Sequence, residues 1–258
     1  MIHKGHTTVI ANQKGGVGKT TTAMNMADFV AKAGKKTLLV DMDPQGNLTS
    51  GFGVAKNEIE NSSYDFLLGH GRFEGVVKKT HIPNLDIIPS HMDLAGIELE
   101  IVSYPNRERL LKKVLRPVAD VYDYIFVDCP PSLGLITLNA LTAGDGVIIP
   151  IQAEFFALEG LSQLVNIIKL VNQKGLNPDL KVAGVVLTMF DSRSLMSRQV
   201  AAEIQKYFSK TIFKTFIPRN IKLCEAPSYG VPVSEHAPKS KGAIAYAELT
   251  QEFLEREK

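Results

Sequence analysis

Tryptophan is absent from these 258 residues, cysteine occurs only twice, and opposite charges nearly cancel, with 29 Lys and Arg against 27 Asp and Glu. Each shortage removes a class of protein. Cys129 and Cys224 lie far apart and form no CxxC pair, so neither a disulfide framework nor an intrinsic zinc site is expected. No apolar run approaches the about 20 residues that a membrane span requires. The opening M-I-H-K-G-H carries no apolar signal segment, so a cytoplasmic location is expected. A net charge of +2 is too small to announce a nucleic-acid protein in bulk, so any basic surface must come from local clustering. The 45% hydrophobic and 22% charged composition is that of an ordinary globular chain. Its length can bury a substantial core, as one large α/β domain or two small ones.

What is present begins at residues 9–22, V-I-A-N-Q-K-G-G-V-G-K-T-T-T, an apolar strand breaking into a glycine-rich turn. Gly15, Gly16 and Gly18 free the backbone to curl so that successive N–H groups converge on phosphate oxygens. Gln13 and Val17 complete the loop, Lys19 is placed to reach the β- and γ-phosphates, the Thr20 hydroxyl to ligate magnesium, and Thr21 follows within the site. The helix beginning here aims the positive end of its dipole at the same anion. A general phosphate loop has glycine where this chain has Gln13, and Lys14 follows it. The cradle itself does not need Lys14, because Lys19 already supplies that charge.

Apolar, β-branched runs predict strands at 7–11, 37–40, 85–88, 124–127, 147–151, 182–187 and 212–217. Between them, helical patterns fall at 19–32, 107–118, 158–173, 197–208 and 243–255. This alternation predicts a mostly parallel twisted sheet with helices on both faces. No internal repeat, linker or low-complexity tract divides the chain, so residues 1–258 are read as one domain. In such sheets ligands sit beyond the carboxyl ends of the strands. The second strand runs into L-L-V-D-M-D-P-Q-G-N, and its alternation is expected to put Asp41 and Asp43 on one side. Either could anchor magnesium or orient an attacking water. The fourth ends Y-I-F-V-D-C-P-P-S-L-G, placing Asp128 as a second magnesium anchor before a loop stiffened by Pro130 and Pro131, with Gly134 as pivot.

The segments N-Q-K-G-G-V-G-K-T-T-T, V-D-M-D-P-Q-G-N, V-D-C-P-P-S-L-G, A-L-E-G-L, I-P-R-N and E-A-P-S-Y-G occur in this order. Together they resemble ParA/Soj-type partition ATPases of the deviant Walker A group, over the chain from about residue 7 onward. The resemblance implies a P-loop NTPase fold, ATP and Mg2+ as ligands, and slow hydrolysis of ATP to ADP and phosphate. It makes Lys14 the signature lysine that crosses to the partner's nucleotide in an ATP-bound homodimer, much as an arginine finger does. Asp43 becomes the residue positioning the hydrolytic water, Asp41 a more structural neighbour, and Thr20 and Asp128 the magnesium-linked positions. Met189, Pro218 and Asn220 fall where the family's adenine pocket forms.

The same group contains MinD-like division regulators and iron–sulfur carriers, so the phosphate site alone leaves function open. The C-terminal A-E-L-T-Q-E-F-L-E-R-E-K has more acidic than basic residues, against a basic membrane-targeting tail. Neither cysteine has a neighbouring partner, against a cluster ligand set, although a dimer could pair two Cys129 thiols. Between residues 193 and 241 nine Lys or Arg face three acidic residues, a local excess suited to neutralising phosphates without reading sequence. The resemblance places non-specific DNA contacts in this region, including Arg193 and Lys222, and the basic excess adds Arg198, Arg219 and Lys241 as candidates. Lys222 stands where close relatives often carry arginine, and Arg219 could face nucleotide instead. The reading is an ATP-switched partition protein on the nucleoid, released from DNA when a ParB-like centromere-binding partner stimulates hydrolysis. Neither a sequence-reading helix-turn-helix domain ahead of the first strand nor a membrane contact is expected. The alternative is a related ATPase that positions a non-DNA cargo, regulates replication or acts at the division site.

Overall fold

A computed structural model describes residues 5–70, 72–154 and 157–257. The strands are β1 (His6–Ile10), β2 (Thr37–Asp41), β3 (Lys78–Lys79), β4 (Leu85–Ile88), β5 (Tyr124–Asp128), β6 (Gly146–Gln152) and β7 (Lys181–Thr188). They form one sheet in the order β3-β4-β2-β5-β1-β6-β7, parallel except for β3. The central strands are buried on both faces, and their side chains alternate between two cores. Val9, Leu38, Val40, Val127 and Val147 point into one, while Ile10, Leu39, Phe126 and Ile148 point into the other.

Twelve helices connect the strands among the described residues. The first six are α1 (Lys19–Lys32), α2 (Asn47–Gly51), α3 (Ser63–Leu68), α4 (Phe73–Val76), α5 (Ile97–Glu100) and α6 (Leu110–Leu115). Then follow α7 (Leu135–Ala143), α8 (Ala157–Gln173), α9 (Leu195–Phe208), α10 (Ile221–Glu225), α11 (Val233–His236) and α12 (Lys241–Arg256). α1 and α12 cover one face through Ala23, Met26, Val30, Tyr246, Leu249 and Phe253. α6 to α9 cover the other through Leu111, Leu115, Ala140, Leu161, Leu164 and Ile204.

Most predicted strands are found within a residue or two of their expected bounds, and 212–217 is the exception. That segment touches the β7 edge only through isolated bridges, Val185 with Ile212 and Phe190 with Pro218. The Phe213 and Ile217 N–H groups reach the β7 carbonyls of Val185 and Leu187, but two amides between them go elsewhere: the Glu252 carboxylate accepts from the Lys214 N–H (3.0 Å) and the Thr215 N–H (3.2 Å). Donors claimed by a side chain cannot build a ladder.

The helix expected at 107–118 is shorter, a 3-10 turn (Arg107–Arg109) leading into α6. The Asn139 side chain accepts the Leu111 N–H (3.1 Å), and Pro117 has no N–H with which to extend the helix. α7 was not predicted at all. Six residues of its L-I-T-L-N-A-L-T-A are buried and none is exposed, so it has no solvated polar face to reveal a helical period.

Candidate functional site

Parallel pairing brings the chemistry to one end of the sheet. β1 and β2 flank β5, with Ile10 and Asp41 both in register with Asp128. The glycine loop leaving β1 therefore lies beside both aspartate-bearing strand tips. Gly16 (φ 71°) and Gly18 (φ 88°) occupy left-handed conformations that side chains resist, and this curls the loop into α1. The loop is held from below: Thr188 Oγ1 donates to the Val17 carbonyl (2.7 Å), and Asn12 Nδ2 to the Pro150 carbonyl (2.7 Å).

Gly15, Gly16, Gly18, Lys19, Thr20, Thr21 and Asp43 line one cavity of about 600 Å3. Lys19 is 6% exposed, and its ammonium donates to the Lys14 carbonyl (3.2 Å). Burial lowers its pKa from the ordinary lysine value, against the raising influence of Asp128, Cys129 and Asp43. The result is a cation poorly compensated by water and suited to an anionic ligand.

Strand alternation does not carry both acidic side chains of the second strand into this cavity. β2 ends at Asp41, and the two aspartates take separate roles. Asp41 is fully buried and accepts from the Thr49 hydroxyl (2.6 Å), the Thr49 N–H (2.9 Å) and the Asp43 N–H (3.1 Å). Burial pushes its pKa up to about 6, partly offset by those hydrogen bonds. It fixes α2 against the strand tip, while Asp43 lines the cavity and accepts the Gln45 N–H (2.9 Å).

Asp128 is wholly buried, and neither carboxylate oxygen makes a hydrogen bond. Burial and the nearby Asp41 charge hold its pKa well above the usual carboxylate range. The Thr20 hydroxyl and the Lys19 ammonium favour the charged form, though the hydroxyl makes no hydrogen bond of good geometry to it. A buried, unpartnered carboxylate beside a hydroxyl, with Asp43 nearby, is a hard-oxygen set that fits Mg2+. Cys129 is also buried, and burial, then the Asp128 charge, pushes its thiol far up from the ordinary value. That opposes the thiolate a metal cluster would need.

A second cavity of about 290 Å3 adjoins the first, sharing Gly18, Thr21, Met189, Leu223 and Cys224. Met189, Pro218 and Asn220 line it, as does Arg219. Met189 has a left-handed backbone (φ 49°), unusual for a residue with a side chain. Sequence reasoning missed Leu223, Cys224 and Tyr246 on this side, and Gln45, Asn47 and Ser50 on the other. Pro227 and Ser228 of the E-A-P-S-Y-G segment line the larger cavity, so that motif was the available signal. A groove of about 500 Å3 beside α3 and α6 contains none of the residues singled out from the sequence.

The remaining candidates lie outside both cavities. Val17 contributes its carbonyl to the loop support, and Gln13 turns its amide to Gln163 (2.5 Å). Lys14 is exposed and ion-paired with Glu154. Arg193 pairs with Asp191 (3.2 Å), Arg198 donates to the Ser192 carbonyl (2.8 Å), and Lys222 pairs with Glu225 (2.7 Å). Lys241 is exposed at the start of α12. All five basic candidates reach the surface.

A family model described as an AAA domain matches residues 5–182. The sporulation initiation inhibitor protein Soj of Bacillus subtilis is 52% identical, covering 94% of this chain and 96% of its own. The chromosome-partitioning ATPase Soj of Treponema pallidum is 47% identical over 98% of both chains. The cobyrinic acid a,c-diamide synthase of Mycobacterium smegmatis, solved with an ATP analogue and magnesium, has a TM-score of 0.83 at 36% identity. That match covers 96% of this chain and 93% of the other.

Proposed function

The chain belongs to the Soj/ParA family of chromosome-partitioning ATPases, and we propose that it acts as a nucleotide-switched dimer on DNA. It is an ATP-dependent partition protein with ATP as substrate and magnesium as its metal. The observation that carries the site reading is the convergence of the glycine loop, Lys19, Thr20 and Asp43 on one cavity, with a base-sized cavity beside it.

In this reading the N–H groups around Gly15, Gly16 and Gly18 and the Lys19 ammonium hold the phosphates. The base enters between Met189, Pro218 and Asn220. Thr20 and Asp128, with Asp43 close by, would hold a magnesium ion, whose charge would favour the phosphoryl oxygens in the transition state. Asp43 orients the attacking water. A largely dissociative phosphoryl transfer asks for positioning and charge stabilisation, and these residues supply both. Lys14 completes the partner's site, so ATP assembles the dimer and hydrolysis dissolves it.

The dimer then presents Arg193, Arg198, Lys222 and Lys241 from both protomers to DNA phosphates, with Arg219 near the nucleotide. A ParB-like partner accelerates hydrolysis, and the protein resides on the nucleoid. A gel shift on DNA of arbitrary sequence, with and without Mg-ATP, tests the mechanism. Tight binding is expected only with ATP. Four basic residues from each of two protomers limit the log-log salt slope to about −7. If ATP leaves DNA affinity unchanged, the switch is wrong.

A further inference from the structure

Lys14 belongs to the phosphate loop, yet it does not line the cavity, and its ammonium pairs with Glu154 just beyond β6. The backbone of Lys14 is fixed at both ends. Its N–H donates to Asn12 Oδ1 (3.0 Å), and its carbonyl accepts from Lys19 Nζ (3.2 Å). The segment bearing Glu154 is tied into the same frame: Asn12 holds the Pro150 carbonyl, and Gln152 donates its amide to Met189 Sδ (2.7 Å). Gln13 reaches Gln163 on α8, a second link from the loop tip to this side of the molecule. The backbone of Lys14 and the segment leading to Glu154 are thus both anchored, and the half-exposed ion pair spans the two.

We propose that Glu154 is a positioning residue that holds Lys14 within its own subunit until the nucleotide of a second protomer draws it away. This rests on the reading that Lys14 acts across the dimer. A triphosphate carries more negative charge than one carboxylate, so it wins the ammonium when presented in trans; loss of the terminal phosphate weakens that pull and favours return to Glu154. The pair is 45% and 51% exposed at its two side chains, which makes it a weak restraint. An exposed pair of this kind shifts an equilibrium by about two- to fivefold. Two such pairs open per dimer, so releasing both should tighten dimerisation by about four- to twenty-five-fold. A much stronger pair would prevent the switch from closing.

The test compares wild type with Glu154→Gln and with Glu159→Gln, which removes a neighbouring exposed acid that does not touch Lys14. First, the rate of acylation of the Lys14 amine is measured by peptide mass spectrometry without nucleotide. Second, the protein concentration giving half-maximal dimer in Mg-ATP is measured by analytical ultracentrifugation. Glu154→Gln should raise the labelling rate about two- to fivefold and lower the dimer midpoint, with Glu159→Gln matching wild type. Equal labelling of wild type and Glu154→Gln overturns the ion-pair restraint. Faster labelling with an unchanged dimer midpoint overturns its role in dimerisation. If Lys14→Ala then also dimerises like wild type, the error lies in the trans reading of Lys14 itself.

Discussion

Replacing Asp128 by Asn should make the nucleotide-free protein more stable while removing its response to magnesium and ATP. The carboxylate is wholly buried at the tip of β5 without a hydrogen-bond partner, and its pKa lies well above the ordinary 3.8. A carboxyl whose pKa is raised by folding contributes stability below its unfolded value, and that contribution is lost as pH rises through the folded value. Each pH unit between the two costs about 1.4 kcal/mol. Starting from 3.8, the penalty at pH 7 is therefore bounded at about 4 kcal/mol. Asparagine keeps the shape and removes the charge, but it buries an amide that costs about 1–3 kcal/mol if unpartnered. The net gain at pH 7 is therefore at most about 1–3 kcal/mol, and it turns into a loss near pH 4, where the carboxyl is neutral and only the cost of the amide remains. Asp41, raised to about 6 by burial, has the same sign and remains in the variant, so the pH slope flattens only in part. Urea unfolding in EDTA at several pH values measures the gain, and thermal shift with Mg-ATP measures the lost ligand response. A variant no more stable than wild type at pH 7, with an unchanged pH slope, would refute the reasoning.

Asp43→Ala should lower phosphate release by about 10²–10⁴-fold while prolonging the ATP-bound dimer, as read by single-turnover assay and size-exclusion chromatography; normal turnover removes Asp43 from the reaction. Thr49→Val deletes the hydroxyl that donates to Asp41 (2.6 Å) and accepts the Ser90 N–H (2.8 Å). A lost bond to a charged group and a stranded N–H together predict about 3–5 kcal/mol of destabilisation in urea, and a loss below about 1 kcal/mol would contradict that. Arg193→Ala should reduce the salt slope of DNA binding by about 1 per protomer and leave DNA-free ATP turnover unchanged. An unaltered slope would place DNA elsewhere.

Local pattern disclosed most of the sheet and the cradle. The helix Lys19–Lys32 and the strand Leu85–Ile88 lie at their predicted bounds, because a capping turn and a continuous apolar run are properties of adjacent residues. The 212–217 segment has the same apolar look as a strand, but Glu252 from α12 takes two of its amides, those of Lys214 and Thr215. α7 escaped notice for the opposite reason: packed on nearly every side, it shows no period.

The amino-acid order alone determined that a glycine loop with Lys19 and Thr20 follows β1 and that an acid closes β5, since turn chemistry and strand period act over a few residues. It also marked Lys14 as surplus to the cradle. Strand period put Asp41 and Asp43 on one side and only the resemblance told them apart; tertiary structure supplied the reason that Asp43 lines the cavity, because the strand ends between them and Thr49 claims the first carboxylate. Only folding joined Met189 and Asn220 to Leu223 and Tyr246 around one cavity, and only folding gave Lys14 the carboxylate of Glu154. Those pairings depend on which strands lie side by side and how helices close over them, and residues so distant in sequence carry no shared local signal.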